Sequence, residues 1–517
     1  MSIDYAEAIR SAIDRRDPAG ASELARKWLI DDPDSAIAHS TAAELAVRGF
    51  DLDEAERLYE HAIALSPGAW ESWNNLGNIK RYFGKLAEGN RCSLKAIELC
   101  PDRRSASRMH SNLVLRRNGD PLETMAQLCA AAHEFHRAQG FEPSALATPL
   151  GRTAGNKRIR VAYVSGAFNS AIVTSVLAAV LRHHDLSTFE VCLVNTNPKL
   201  NRKPEALNAA HLRWINVDAL FAGDSIGIDV AVDIDGLSPS GSPWLFARRI
   251  APVQISWFDW FCTTGNPEMD YFLGDAISTP PHFSGLFSER IISLAQFRFP
   301  FDGTRTRPAI KTRGLCAPRP FTFGVFNRVD KHHAGLLEYW AAILREAPGS
   351  ELVFKASAFA AERLRARYAI EFDRMGVDSS RLLFVGASNY QAYLAEHNDV
   401  DLMLDTFPYT GGISTFESLS MGVPVLTVLG ETTIGRQTAA IVSQIASLDL
   451  SSLIASDAAQ YVHLAIEFAT AQRPLPSKYD ISKAFLRSKI CDAAGFTKAL
   501  ERVYREVVKA DTSLPTL

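Results

Sequence analysis

The sequence predicts an α plus α/β protein: an N-terminal helical solenoid followed by a pair of doubly wound, Rossmann-like domains. Three observations predict it. Pro33, Pro67 and Pro101 lie 34 residues apart, and each closes a helical pattern. From residue 158 onward, apolar runs rich in β-branched residues alternate with helical segments in two successive series. The length of 517 residues exceeds what a single hydrophobic core ordinarily serves.

A period of 34 residues is that of tetratricopeptide repeats, each a pair of short helices that cannot bury its apolar face alone. Small residues at fixed offsets let the helices approach, and the proline ends the second helix. Repeat 36–69 supplies Ala43, Ala55, Tyr59 and Ala62, and repeat 70–103 supplies Trp73, Leu76, Gly77, Gly89 and Ala96. Residues 4–33 read as a weaker opening repeat, and 104–138 as a helical pair able to cap the stack, giving a repeat domain over 1–138. A curved repeat stack offers a concave surface, so the expected partner is an extended segment of another protein.

A polar linker, 139–156, leads to the wound domains. Strands are expected at 158–166, 189–196 and 228–236 in the first (157–312), and at 321–327, 351–356, 381–386, 401–406 and 424–430 in the second (313–478). Helices are expected in the second near 335–346, 359–375, 389–397 and 413–421. The segment 479–517 reads as helices and a tail that brace both lobes.

With 47% hydrophobic and 22% charged residues and a net charge of −3, the chain has no global attraction for nucleic acid or anionic membrane. Seven scattered cysteines (92, 100, 129, 192, 262, 316 and 491) without a CxxC pair suggest reduced thiols, no zinc site and a cytoplasmic protein. The first residues carry charges throughout and resemble no signal peptide, and no run is long enough to span a bilayer. No G-x-G-x-x-G follows the first strand, where VSGAFNS stands, so a dinucleotide-dependent dehydrogenase is disfavoured.

Lys331 ends the stretch 321-FTFGVFNRVDK, at the mouth of a strand-to-helix turn. Such a lysine is either a solvated loop charge or a holder of phosphate, because ligands of open α/β sheets bind beyond the carboxyl ends of strands. The strings 109-MHSNL, 162-AYVSGAF, 248-RRIAPVQISWF, 263-TTG, 269-MDY, 288-SER, 326-FNRVDK, 404-LDT, 411-GG and 429-LGETTIGR occur in one order over about 105–440. In these the chain resembles the O-GlcNAc transferase family, which includes the plant Spindly-type enzymes. The resemblance implies a GT-B pair of lobes and a metal-independent, inverting, cytosolic O-glycosyltransferase with no cofactor, moving a sugar from a nucleotide donor to Ser or Thr of a protein.

Residue by residue, the resemblance assigns Lys331 to the donor pyrophosphate, where it would neutralise the leaving group. It places Gln254 and Asn327 near the donor, Gly411, Gly412, Ser414 and Thr415 in the helix-start turn against the phosphates, and Glu417 where the family's Asp bonds the ribose. Thr263, Thr264 and Gly265 match a Thr-Ser-Gly near the sugar or acceptor. Arg436 meets either a phosphate or Glu431. Asp330 reads as a helix N-cap and His332 and His333 as exposed helix-start residues, while Asp233 and Asp235 read as structural or acceptor-side.

Departures accompany these matches. Ala167 stands where the family carries an Asp considered for the acceptor proton, and no His follows it. Gly412 replaces a His, and Ser242 an Arg. The donor is therefore UDP-GlcNAc-like or another nucleotide sugar. Two alternatives stand beside this: a flagellin O-glycosyltransferase using a CMP-nonulosonic acid donor, implied by a resemblance to the bacterial flagellin-modifying enzymes that join such repeats to a related transferase domain, and a non-catalytic repeat adaptor with degenerate transferase lobes.

Overall fold

The computed structural model describes residues 4–141, 158–209, 211–220, 227–311 and 319–512. Most of the expected linker, 142–156, and Cys316 lie outside them. Eight helices come first: α1 (Tyr5–Asp14), α2 (Pro18–Asp31), α3 (Ala36–Arg48), α4 (Leu52–Leu65), α5 (Trp70–Tyr82), α6 (Leu86–Leu99), α7 (Arg103–Arg117) and α8 (Met125–Gln139). Two parallel sheets follow. The first contains β1 (Ile159–Ser165), β2 (Phe189–Asn195), β3 (Arg213–Asn216), β4 (Val230–Asp233), β5 (Val253–Ser256), β6 (Tyr271–Asp275) and β7 (Arg290–Leu294) in the order 3-2-1-4-5-6-7. The second contains β8 (Phe321–Val325), β9 (Ser350–Lys355), β10 (Leu382–Val385), β11 (Leu402–Leu404), β12 (Val425–Val428) and β13 (Ile454–Ala455) in the order 10-9-8-11-12-13. Each order reverses direction once, between β1 and β4 and between β8 and β11, which is the doubly wound arrangement of the GT-B class.

Strands β3, β5, β6, β7 and β13 have two to five residues and no long apolar run, which is why the sequence marks none of them as strands. Between β4 and β5 the chain forms only the single helical turn Pro243–Phe246. Among the described residues, no helix is long and apolar enough to cross a membrane.

The chain divides into two compact units. One comprises Met1–Leu113, Arg328–Arg345 and Phe354–Ala387. Its repeats follow from local chemistry. Asp17, with Pro18 in the first turn, caps α2, and Ser35 and Asp51 cap α3 and α4 by accepting backbone N–H groups. Pro33, Pro67 and Pro101 each stand two residues past a helix end. Ala43, Ala55, Tyr59, Ala62 and Ala96 are buried, and a Cβ on Gly77 would come within 2.9 Å of the Gly89 carbonyl, so α5 and α6 meet at backbone distance. In the same unit His332 is buried against Tyr368, with Nδ1 2.9 Å from its hydroxyl, and packs edge-on to Trp340. The expectation of an exposed His332 is thus overturned, because flanking aromatics close over the ring. Asp330 lies inside the turn Val329–Lys331 and pairs with Arg328 at 3.4 Å; it is not that turn's N-cap.

The other unit comprises Val114–Asn327, Glu346–Val353 and Ser388–Leu517. Helix α8, expected to cap the repeats, is built into this unit's core: Met125, Leu128, Cys129, Ala132 and Phe135 pack with Trp260, Cys262 and Phe272. At the carboxyl end of the chain, the helix Lys478–Leu486 lies on Ile413–Ser420, with Ser482 Oγ donating to Ser420 O at 2.7 Å. The last helix, Ala493–Thr512, lies on Ala171–Leu181. There Glu501 accepts Asp185 N at 2.7 Å and stands 3.1 Å from His184 Nδ1, while His184 Nε2 and Tyr504 meet the Tyr163 hydroxyl at 2.9 and 3.2 Å. One terminal segment therefore ties both sheets together.

Removing that anchor leaves a buried amide and imidazole without their acceptor. Glu501→Ala is expected to lower unfolding free energy by about 2–3 kcal/mol, the range for a buried hydrogen bond to a charged group. The urea midpoint checks this, and a change under 0.5 kcal/mol on the same scale contradicts the assignment.

Candidate active site

The carboxyl ends of β8 and β11 flank the point where the second sheet's strand order reverses, and the loops there are organised around one carboxylate. Asp405 follows β11 and is 2% exposed. Its Oδ1 accepts the backbone N–H of Thr406 at 3.0 Å and of Gly411 at 2.9 Å, and Asn327 Nδ2 stands 3.4 Å away. Its Oδ2 accepts Thr427 Oγ1 at 2.9 Å. The Gly411 carbonyl is held from the opposite side by Gln437 Nε2 at 2.9 Å and Thr438 Oγ1 at 3.1 Å. A Cβ at residue 411 would stand 2.4 Å from Thr415 Oγ1, so a side chain there would displace that hydroxyl. The bonds to Gly411 fix the start of the helix Ile413–Ser420, whose first-turn N–H groups have no intrahelical acceptor and favour an anion.

The assigned residues of this loop converge. Ser414 Oγ lies 3.4 Å from Asn327 Oδ1, and Thr415 Oγ1 is 3.1 Å from Thr438 Oγ1. Glu417 is 8% exposed on the helix's inner side, where the hydroxyls of Tyr393 and Tyr390 hydrogen-bond to it. Burial pushes its carboxyl up to about 7, moderated by those two bonds and by Arg305. Asp405, Gln437, Tyr390 and Tyr393 were missed by sequence reasoning. A polar Asp-Thr ending an apolar strand was the signal available for Asp405; the tyrosines, on the helix Tyr390–Glu396, gave none. Lys331 closes the turn Val329–Lys331, four positions after Asn327, is half-buried, and belongs to the other compact unit.

Several assigned residues are committed to other bonds. Gln254 is fully buried: Nε2 donates to Phe246 O and Glu268 O at 2.9 and 2.7 Å, and Oε1 accepts Ile250 N at 3.1 Å, so both of its N–H donors are used within the first domain's turn. Arg436 reaches neither Glu431 by a hydrogen bond nor an open surface with its Nε and Nη1. Those atoms donate to Ile277 O at 2.6 Å and Gly430 O at 2.9 Å, linking the two sheets' loops. Thr263 and Thr264 are buried, with their hydroxyls donating to Glu289 at 2.6 and 2.5 Å, and Thr264 N donates to the same carboxylate at 2.7 Å. They shape the turn at Gly265 (φ +67°) from beneath.

The first-sheet departures have structural counterparts. Ala167 is buried, its N–H donating to Ser165 Oγ at 2.8 Å, and Ser165 Oγ in turn donates to Asp235 at 2.9 Å. Asp233 accepts the N–H groups of Asp235 and Gly236 at 3.1 and 3.0 Å. Burial pushes Asp233 up to about 7 and Asp235 well above the usual range, partly countered by these bonds. Both are internal fixtures of the turn after β4. Ser242 begins the short helix Pro243–Phe246 and is buried.

The family model for glycosyl transferase family 41 matches residues 124–319 and 318–500. The chain belongs to glycosyl transferase family 41. It is similar to the "Probable UDP-N-acetylglucosamine-peptide N-acetylglucosaminyltransferase SPINDLY" of Solanum lycopersicum, with 28% identity over 386 residues, 69% of this chain and 40% of that one. The protein of the same name from Arabidopsis thaliana is 28% identical over 376 residues, 68% of this chain and 39% of that one. The chain thus spans about two fifths of the length of these relatives. Among solved structures, a lysine-to-methionine mutant of the Thermobaculum terrenum O-GlcNAc transferase superposes with a TM-score of 0.78 at 28% identity, covering 99% of both chains. The family 41 match over both sheets agrees with the two-lobed architecture described above.

The carboxyl of Asp233 gives a pH test. Its pKa in the fold, about 7, lies above that of an unfolded Asp, so the folded state holds a proton that the unfolded state releases. Stability therefore falls as pH rises from the ordinary carboxylate range through about 7. Asp233→Asn keeps an acceptor for the two N–H groups without the buried charge. Its melting temperature relative to the parent is expected to rise between pH 5 and pH 8, by several degrees; thermal unfolding across that range measures it, and a flat difference contradicts the assignment.

Proposed function

We propose that this member of family 41 is a protein O-glycosyltransferase that moves a sugar from a nucleotide donor to Ser or Thr, with the helical repeats recruiting the acceptor protein. The observation that carries the reading is the pinned loop 405–412, which holds a helix start at the switch point of the second sheet. An anion there is met by fixed backbone N–H dipoles that need no reorganisation as charge develops on a departing phosphate. The family membership and the names of the relatives support the same reaction class. In this reading Lys331 neutralises the leaving diphosphate, the acceptor hydroxyl attacks the anomeric carbon in line, and the positive charge comes from the lysine and the helix start without a metal.

The donor's identity remains part of the proposal. Gly412 and Ala167 depart from the pattern of UDP-GlcNAc-using members, which favours a changed donor as the second reading, a CMP-activated acidic sugar among the candidates. A thermal-shift panel of UDP, GDP and CMP with and without EDTA separates these, because a nucleotide binding only the native state raises apparent stability by RT ln(1 + [L]/Kd). A shift with one nucleotide that survives EDTA is expected. No shift with any of the three contradicts the donor reading, and loss of the shift in EDTA contradicts its metal independence.

Lys331→Ala is expected to reduce sugar transfer by at least about 100-fold, the scale of removing one electrostatic stabiliser of the transition state, while circular dichroism and pull-down of the acceptor are unchanged. Transfer at the parental rate would return Lys331 to the status of a loop charge.

A further inference from the structure

Gln437 opens the helix Gln437–Ser443 and is 4% exposed. Its Nε2 donates to Gly411 O at 2.9 Å, which fixes the orientation of the amide, because the reversed group would set two oxygens face to face. Oε1 is buried and has no partner among the described residues. A buried acceptor without a donor is destabilising, and native structures rarely retain one unless water or a ligand fills it.

The carboxamide also occupies a particular place. A Cβ built on Gly412 would stand 2.6 Å from Gln437 Nε2, 3.3 Å from Cδ and 3.8 Å from Oε1. Gly412 is the N-cap residue of the eight-residue helix Ile413–Ser420 and contributes no side-chain cap. At the helix start, then, the room in which a side chain of residue 412 would begin is filled by a polar group supplied from position 437.

We infer that Gln437 and Gly412 form one steric pair that sets which nucleotide sugar the site accepts. Gln437 holds the Gly411 peptide with its donor atom, and its Oε1 accepts an N–H or O–H of the bound donor molecule. Any side chain at 412 displaces it. This rests on the nucleotide-sugar reading given above, and it adds a determinant of donor choice remote in sequence from the loop it serves.

The test is a double-mutant cycle on the full chain, read by isothermal titration with UDP, GDP, CMP and UDP-GlcNAc. Gly412→Ala is expected to weaken the nucleotide that the parent binds best by about ten-fold. Adding Gln437→Ala should cancel that loss, so that the double variant matches Gln437→Ala within about three-fold. Gln437→Leu keeps the bulk and removes both the acceptor and the Nε2 donor to Gly411 O; loss of the donor loosens the loop for all four probes alike, whereas loss of the acceptor should change the ratio of their affinities by at least about five-fold, the scale of one lost hydrogen bond. Additive effects of the two alanine substitutions overturn the steric pairing, and an unchanged ratio in Gln437→Leu, as when water alone fills the acceptor, overturns the recognition role. Should Gly412→Ala fail to fold, Gln437→Leu decides the matter by itself. Failure of the parent to bind any probe sinks the donor reading and this inference with it, whereas binding by the parent with additive, ratio-neutral variants sinks this inference alone.

Discussion

The contact between the Asp405 carboxylate and the backbone N–H of Gly411, 2.9 Å long, is the constraint on which the candidate site depends. A loop of glycines has no side chains to hold its shape, and its backbone entropy is the largest of any residue type. Asp405 offsets that by fixing the peptide from one side while Gln437 and Thr438 fix it from the other. The same carboxylate is tied to β12 through Thr427, and its backbone carbonyl accepts the Tyr461 hydroxyl at 3.0 Å. The loop is therefore continuous with the sheet, and the helix start it presents is set before any ligand arrives.

A second requirement is that the loops of the two sheets stay in register with one another. Phe297, Phe299 and Phe301, on the strand-less segment after β7, surround Phe416 with ring centroids 5.7, 5.5 and 5.4 Å away. Such pairs contribute about 0.5–1.5 kcal/mol each beyond the area they bury. Arg436 and Gln444 add polar links, through Ile277 O at 2.6 Å and Phe297 N at 2.7 Å. Phe416 lies one position before Glu417, so the apolar seam and the polar face of the site share one short helix.

Several carboxyls near the strand ends are buried and held by neutral hydrogen-bond donors. Glu289 is held by threonine hydroxyls, Asp235 by Ser165 and Gly166, and Glu417 by two tyrosines. The cost of this arrangement is visible in the raised carboxyls of Asp233 and Glu417, both at about 7.

Much of the architecture was determined by the sequence itself. Helix caps, the proline period and the β-branched runs are local signals, and each acts on neighbours within a few residues, so the repeats and the long strands β1, β2, β8 and β9 could be read directly. The resemblance likewise picked out Asn327, Gly411, Ser414 and Thr415, which the fold brings together around Asp405. Tertiary structure decided which polar groups remain open. Gln254, Thr263, Thr264 and Arg436 have suitable chemistry, yet their hydrogen bonds go to partners that no spacing reveals, while Gln437 has an acceptor with no partner among the described residues, beside a glycine 25 positions earlier in the chain. Hydrogen-bond capacity is finite and is assigned by three-dimensional proximity, whereas a sequence shows only that the capacity exists.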